Sequence, residues 1–347
     1  MSNRLGFEEL LNNVISKERC TECGACFAVC PFERILDYSE GPKLVGECRK
    51  CAICLRVCPR YGVETADLDD FVFGHKRALE DVFGIHVSLQ IGKAVDPHVE
   101  AVGQDGGAAT ALLLKAFDSG LIDGAIVSST DPTRPWLPVP SLARSREEIL
   151  AAAGTRYTYS SGIVALRRVA GEGLKQVAFV GPPCQVTALR RMQKANLKKV
   201  VGPISLVIGL FCSESFSYEG LMLGKIQKGM GIDLKDVEKM NIKGRMQVTL
   251  RGGKMVEIPL KEARAYAEPY CRFCEDFSAE FADISLGGVG LEGRTFTVVR
   301  TERGKRLLEA AVESGSLEVK PVDDFKKALD LMVRLSVSKR SKAQTMA

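Results

Sequence analysis

Hydrophobic and polar positions change texture twice along this chain. Residues 1–18 set Leu5, Leu11, Val14 and Ile15 among Glu8, Glu9, Lys17 and Glu18, the spacing of a short amphipathic helix. Residues 16–66 are dense in cysteine and turn residues and hold neither a helical nor a strand period. Residues 67–95 are charged, with Asp67, Asp69, Asp70, His75, Lys76 and Arg77. From Val95 onward strand-like and helix-like runs alternate.

The later region predicts its elements run by run. Residues 108–117 read as a helix and 124–129 as a strand. Ser145-x-x-Glu148 is a capping box opening a helix through Ala153. Residues 176–180 and 204–211 are apolar enough for buried strands, with a helix over 186–194 between them. Residues 246–250 and 255–260 flank Arg251-Gly-Gly-Lys254 as a hairpin. A strand at 296–299 follows, then helices over 304–313 and 323–335, and a basic tail from Ser336 that should fray. The expected class is α/β with a mixed sheet, preceded by a small cysteine-rich domain. The expected boundaries are a cysteine-rich domain over 1–70, a connector over 71–94, an α/β domain in two parts over 95–175 and 176–335, and a tail over 336–347. Cutting at about Asp70 should then leave a folded body.

Bulk properties narrow the class. The 347 residues allow two or three domains, and 46% apolar with 26% charged residues is a soluble globular composition. The longest uncharged apolar stretch, 200–212, is interrupted by Gly202-Pro203 and is too short to span a bilayer. No signal peptide is evident, so the expected location is cytoplasmic, or peripheral to a membrane complex through a partner. A net charge of +5 favours an anionic cofactor or partner and does not point to nucleic acid. Twelve cysteines without an export signal point to metal ligands rather than disulfides.

Eight of them form one pattern written twice. Cys20-x-x-Cys23-x-x-Cys26-x-x-x-Cys30-Pro31 is followed by Cys48-x-x-Cys51-x-x-Cys54-x-x-x-Cys58-Pro59. This is the ligand run of two-cluster bacterial ferredoxins. Three thiolates at i, i+3 and i+6 wrap three irons of one [4Fe–4S] cubane. The fourth cysteine, redirected by its proline, reaches the other cubane. The expected sets are Cys20, Cys23, Cys26 and Cys58, and Cys48, Cys51, Cys54 and Cys30. Gly24 lets the backbone approach the sulfides. A four-cysteine zinc site also uses C-x-x-C pairs, but needs neither four cysteines per run nor the doubled Cys-Pro ending.

Cys184, Cys212, Cys271 and Cys274 remain. The first two end expected strands, where open α/β sheets place their ligand crevices. A third [4Fe–4S] cluster would use all twelve cysteines. Spacing alone equally allows buried free thiols, a redox disulfide or half a zinc site. Three other segments attract attention. Gly103-Gln104-Asp105-Gly106-Gly107 precedes a helix, where backbone N–H groups bind phosphate or a flavin edge, or simply make a turn. Gly154-Thr155-Arg156-Tyr157 follows a helix; Arg156 could meet a phosphate and Tyr157 could cover a ring. Gly288-x-Gly290-x-x-Gly293 is followed by a strand, which rejects a Rossmann reading. His75, His86 and His98 show no ligand spacing, and Trp136 should anchor a proline-rich loop. Arg190, Arg191, Lys194, Lys198 and Lys199 form a basic run that reads as a solvated helix face or a strip for an anionic ligand.

The segments Gly103-Gln-Asp-Gly-Gly107 with Thr110-Ala-Leu-Leu113, Ile122-Asp-Gly-Ala125, Gly154-Thr-Arg-Tyr157, Gly181-Pro-Pro-Cys-Gln185, Leu210-Phe-Cys212, Tyr270-Cys-x-x-Cys274-x-Asp276 and Ala282-Asp-Ile-Ser285 occur in one order. In them, residues 95–335 resemble the family of beta subunits of coenzyme F420-reducing hydrogenases and dehydrogenases. The resemblance implies an FAD-binding α/β domain, with Gly103, Gln104, Asp105, Gly106, Gly107, Thr110, Thr155, Arg156 and Tyr157 at the cofactor. It implies a cluster on Cys184, Cys212, Cys271 and Cys274, and a redox partner protein or multi-subunit electron-transfer complex. Coenzyme F420 carries hydride, each cluster carries one electron, and a flavin standing between them handles both. The expected function is hydride transfer between F420 and FAD, with electrons passing singly through the clusters in either direction. No side chain need act as acid or base. Two alternatives stay open: a flavin-free electron-transfer subunit, and a flavin reductase of this family acting on something other than F420.

Overall fold

The computed structural model describes residues 5–32, 35–39 and 41–346. Its main body is one eight-stranded sheet. The strands are β3 (Ser88–Ala94), β4 (Gly124–Thr130), β5 (Pro138–Ala143), β6 (Val177–Gly181), β7 (Ile204–Leu210), β11 (Ile284–Gly287), β12 (Thr295–Val299) and β13 (Leu317–Pro321), in the order β13-β3-β12-β11-β7-β6-β4-β5. The centre, β11-β7-β6-β4, is parallel, and both flanks are antiparallel. The expected mixed sheet is present. Its parallel strands all point their C-terminal ends to one edge, which is where a crevice forms.

Strand alternation explains the two cores. Ala125 and Val127 of β4 face the helices Ala108–Asp118 and Glu302–Glu313, against Leu112, Leu113, Leu307 and Leu308. Ile126 of β4 and Phe179 of β6 face the opposite side, against Val186, Leu189 and Met192 of the helix Pro183–Lys194. Each such buried side chain contributes roughly 1.5–3 kcal/mol. The second core also takes Cys23, Ala25, Ala28, Val29, Val57 and Leu68. The cysteine-rich segment is therefore packed into the body, so a cut at about Asp70 would remove part of this core.

The charged connector is corrected. Thr65–Phe73 is a helix, and residues 88–94, expected to belong to the connector, are β3 within the main sheet. Two of its charges are internal, since Arg77 pairs with buried Asp69 and with Glu280, while Asp67, Asp70, His75 and Lys76 are exposed. The expected frayed tail is instead the end of one helix, Lys326–Gln344, with Ser336 and Ala343 buried. Its basic residues find partners: Arg340 pairs with Glu280 at 2.6 Å and donates to the Val82 carbonyl at 3.0 Å. At the other end the helix Phe7–Leu10 runs into a wider π-turn, Leu11–Ile15. Its buried face is Phe7, Leu10 and Val14, whereas Leu5 and Leu11 are exposed. Residues 1–4 of the expected helix lie outside the described residues.

Two small sheets complete the fold. β1 (Leu36–Asp37) pairs with β2 (Lys43–Leu44) in the cysteine-rich region. β8 (Val237–Ile242), β9 (Arg245–Leu250) and β10 (Met255–Pro259) form an antiparallel sheet, in which β9 and β10 are the expected hairpin and β8 an addition. Gly252 and Gly253 turn it at φ +87° and +83°. The Trp136 indole donates to the Val237 carbonyl at 3.1 Å, fixing the proline-rich loop to this sheet. The capping box is half formed. Ser145 Oγ accepts from the Glu148 N–H, but the Glu148 carboxylate takes the Arg144 N–H, and the helix spans only Arg146–Ala151.

Candidate functional site: three cysteine groups and a crevice

The two repeated runs fold alike. Each triple-cysteine loop enters a short helix, Ala25–Ala28 or Ile53–Val57, through a left-handed residue, Gly24 at φ +79° or Ala52 at φ +59°. A Cβ on Gly24 would come within 2.4 Å of Val164 Cγ2, so close packing on the body requires glycine there. Cys20, Cys23, Cys26 and Cys58 line one small cavity; Cys30, Cys48, Cys51 and Cys54 line a second. Each run thus sends its fourth cysteine to the other cavity. The remaining walls are largely apolar, with Leu10, Val14 and Ile15 on the first and Phe7, Leu36 and Leu44 on the second. The Phe7 N–H donates to Cys48 Sγ at 3.4 Å. Burial pushes the Cys20 and Cys58 thiols up to about 12 and Cys54 to about 11. Bound iron would take the place of those protons. Four thiols around an apolar chamber fit a cubane, in which each thiolate takes a different iron.

The other four cysteines are assembled by the fold. Cys184 opens the helix Pro183–Lys194 just after β6, and Cys212 follows β7, both at the C-terminal edge of the parallel strands. Cys271 lies in the 3₁₀ turn Pro269–Phe273, and Cys274 caps it. The Cys212 N–H donates to the Phe277 carbonyl at 2.8 Å, and the Ser215 N–H to Cys271 Sγ at 3.3 Å. Burial raises Cys184 and Cys271, the latter to about 12, and the charges of Cys212 and Cys274 raise both further. The four thiols thus lie within electrostatic reach of one another. Cys274 behaves differently. Burial acts to raise it, yet Lys339 and Arg60 hold it below the ordinary cysteine value. Sequence reasoning missed both cations. Lys339 lay in the segment expected to fray, although the buried positions Met332, Ser336 and Ala343 continue a helical stripe past it. Arg60 carries only its place after Cys58-Pro59.

The glycine loop lies where the helix Ala108–Asp118 begins, against Gly288 just after β11. Gly106 and Gly107 have φ +87° and +69°. The Gly103 N–H donates to the Val99 carbonyl and the Gly107 N–H to the Gln104 carbonyl. A Cβ on Gly106 would sit 2.7 Å from the Gly293 oxygen. The loop's own packing therefore accounts for that glycine. Asp105 accepts from Asn241 Nδ2 at 3.2 Å, and its carboxylate covers Gly288, where any Cβ would meet it. Thr110 is buried and Thr155 half-buried. Arg156 donates to the carbonyls of Ala152, Ala153 and Ser128 and to Thr130 Oγ1, at 2.7 to 3.2 Å, so it ties a helix end to β4. Tyr157 packs on the small-sheet core beside Trp136 and Leu137. Gln104 Oε1, Ser128 Oγ, Thr158 Oγ1 and Ser160 Oγ are buried without a partner among the described residues. Buried polar atoms ordinarily have one, and a flavin's polar edge and phosphates fit that need.

The basic run divides: Lys198 and Lys199 are exposed, as on a solvated face, whereas Arg190 and Arg191 turn inward. Arg190 is buried, donating to the Phe281 carbonyl at 2.8 Å and pairing with Asp283 at 3.2 Å. Arg191 donates to the carbonyls of Arg56, Gly62 and Leu55, and Lys194 pairs with Asp67. Arg191 and Lys194 hold the cysteine-rich segment to the body.

Fold and site define an iron–sulfur protein whose dicluster domain is packed onto a mixed α/β body. Residues 12–59 match the 4Fe-4S dicluster domain. Residues 90–167 and 174–325 match the N-terminal and C-terminal models of the coenzyme F420 hydrogenase/dehydrogenase beta subunit, and the chain belongs to that family of F420-linked oxidoreductase subunits. The coenzyme F420 hydrogenase subunit beta of Methanosarcina barkeri is 37% identical over 77% of this chain and 93% of its own length. A subunit of the F(420)H(2) dehydrogenase of Methanosarcina mazei is 31% identical over 94% of this chain and 91% of its own length. A chain of the F420-reducing [NiFe] hydrogenase complex from Methanosarcina barkeri superposes with a TM-score of 0.73 at 36% identity, covering 76% of this chain and 92% of that one. No helix among the described residues is long and apolar enough to cross a membrane.

Proposed function

We propose that this chain exchanges electrons between coenzyme F420 and a partner protein, through FAD and three [4Fe–4S] clusters. One observation carries the reading: the crevice and the cysteine groups adjoin one another in series. Asp105 of the glycine loop covers Gly288, and Phe211, next to Cys212, packs against Gly287. Cys184 of the third group is close enough to Cys23 of the first to feel its charge. Cys58 then belongs to the run that lines the second cavity, where Cys51 is exposed.

Bound FAD would supply the conversion between a hydride and single electrons, which the clusters carry one at a time. The chain's residues hold and shield these groups. Cys184, Cys212, Cys271 and Cys274 ligate the third cluster; Cys20, Cys23, Cys26 and Cys58 the first; Cys48, Cys51, Cys54 and Cys30 the second. Gln104, Ser128 and Ser160 give polar partners to the flavin, with Asp105, Thr110, Thr155 and Tyr157 at its border. Tyr159, edge to face with Tyr270 at 5.7 Å, sets its hydroxyl 3.8 Å from Cys184 Sγ. The exposed Cys51 side is the exit toward a partner subunit, in keeping with relatives that work in hydrogenase or dehydrogenase complexes.

Anaerobically purified protein tests this directly. About twelve irons and one FAD per chain are expected, and reduced F420 should bleach the flavin. Protein with its clusters but no flavin and no response to reduced F420 would be a plain electron-transfer subunit, and the reading would fall.

A further inference from the structure

We propose that Lys339 and Arg60 are positioning residues that together set the reduction potential of the cluster on Cys184, Cys212, Cys271 and Cys274. The inference rests on the reading that these cysteines hold a cluster. The two cations come from opposite ends of the chain. Lys339 lies near the end of the last helix, and its Nζ donates to the Cys212 carbonyl. Arg60 follows the last cysteine of the dicluster run, and its Nη1 donates at 2.8 Å to the Phe273 carbonyl, directly before Cys274.

Neither charge is matched in the way the neighbouring ones are. Arg77 and Arg340 share Glu280. Asp276 bears on Lys339, but its two oxygens are engaged by the N–H groups of Ser278 and Glu280, each at 2.9 Å. Lys339 Nζ is held instead at the Cys212 carbonyl, beside the cysteine group. Arg60 Nε is buried and has no partner among the described residues. A donor left so is uncommon, and a thiolate or sulfide sulfur beside it would satisfy it.

Reduction adds one electron, and hence one negative charge, to a cubane already made anionic by four thiolates. A fixed cation favours the reduced form more than the oxidised one, so it raises the potential. Lys339 acts on the third group. Arg60 also bears on Cys20 and Cys23, so it acts on two groups at once. Neither cation is among the groups that bear on Cys54 of the second cavity, which makes that cluster an internal control. The dicluster segment, by docking, thus completes the electrostatics of a site to which it gives no ligand.

Anaerobic redox titration of the full-length protein, followed by electron paramagnetic resonance and with iron and flavin counted, separates the outcomes. Lys339→Gln should move the third cluster alone to a more negative midpoint, and Lys339→Arg should restore it. Arg60→Gln should lower the third cluster and the Cys20/Cys23/Cys26/Cys58 cluster together. An unmoved third midpoint in Lys339→Gln at full iron content overturns the proposal. Loss of the third cluster from Lys339→Gln but not Lys339→Arg supports it, since the charge is what differs; loss from both overturns it in favour of packing. Wild-type protein with only about eight irons refutes the third cluster itself, and this inference with it.

Discussion

The dicluster sites and the third cysteine group each gather four thiols, but they are specified in different ways. Cys20 to Cys58 lie within two short runs whose spacing nearly fixes their geometry. Cys184, Cys212, Cys271 and Cys274 come from two strand ends and a 3₁₀ turn, and their cations come from residues 60 and 339. The first kind of site is local and tolerates change elsewhere. The second exists only when sheet, last helix and docked segment are all in place. A mutation far from any cysteine can therefore damage the third group while sparing the other two.

Removing residues 1–70 should have the largest effect. It takes away Val29, Val57 and Leu68, and exposes Ile163, Leu166, Val186 and Leu189 of the shared core. Exposed apolar area of that kind drives aggregation. The fragment should be insoluble, or should lack a native near-ultraviolet circular dichroism signal. A soluble, native-like fragment would show that the two regions fold independently and would break the comparison.

Ligand substitutions come next. The interleaved assignment makes Cys20 and Cys58 members of one site. Cys20→Ser with Cys58→Ser should cost about four irons, no more than either change alone. Cys20→Ser with Cys30→Ser should cost about eight, because it strikes two chambers. Equal losses from the two double variants would mean that each run holds its own cluster.

The seam offers a milder test. Arg191→Ala removes donors from three carbonyls of residues 55–62. Because the seam is open to water there, a cost of about 1 kcal/mol is expected. It should appear as faster hydrogen exchange over residues 55–62, with iron content unchanged. Exchange as slow as in the wild type would leave the apolar core alone holding the dicluster segment.

What the sequence showed follows the same division. The doubled cysteine run, the strands at 176–180 and 204–211 and the hairpin at 246–260 rest on local spacing, and the structure has elements in those places. What was missed rests on tertiary partners. The charges at 67–77 suggested a solvated linker because Glu280, the partner of Arg77, is two hundred residues away. The tail suggested fraying because Lys339 and Arg340 are basic, while the groups they face lie on other elements. Arg190 and Arg191 looked solvent-facing for the same reason. Charge run together in sequence says little about whether it meets water or a carbonyl.

The smallest expected effect concerns Glu268, which lies just before Cys271 and near Glu22 of the first cysteine loop. Burial raises its carboxyl from 4.5 to about 7, and the charges of Glu22 and Glu219 add to the rise. The sign follows from linkage. Between those two values the native state holds more protons than the unfolded chain, so stability falls as pH rises through that window. Below about 4.5 both states are protonated and the group contributes nothing. Above about 7 the folded protein carries the full penalty of an unpaired carboxylate between two cysteine groups. Glu268→Gln removes the titration while keeping the shape. Its melting temperature should equal that of the wild type near pH 5 and exceed it near pH 8, the gap opening mainly between about 5 and 7. A gap that stays constant with pH would show that Glu268 is solvated in the folded protein and that the junction between the first and third groups is wetter than its packing indicates. A gap of opposite sign would mean that a cation, with Arg264 and Arg272 the nearest in sequence, pairs with Glu268 in solution. Either result would weaken the case that Glu268 is buried beside the third cysteine group.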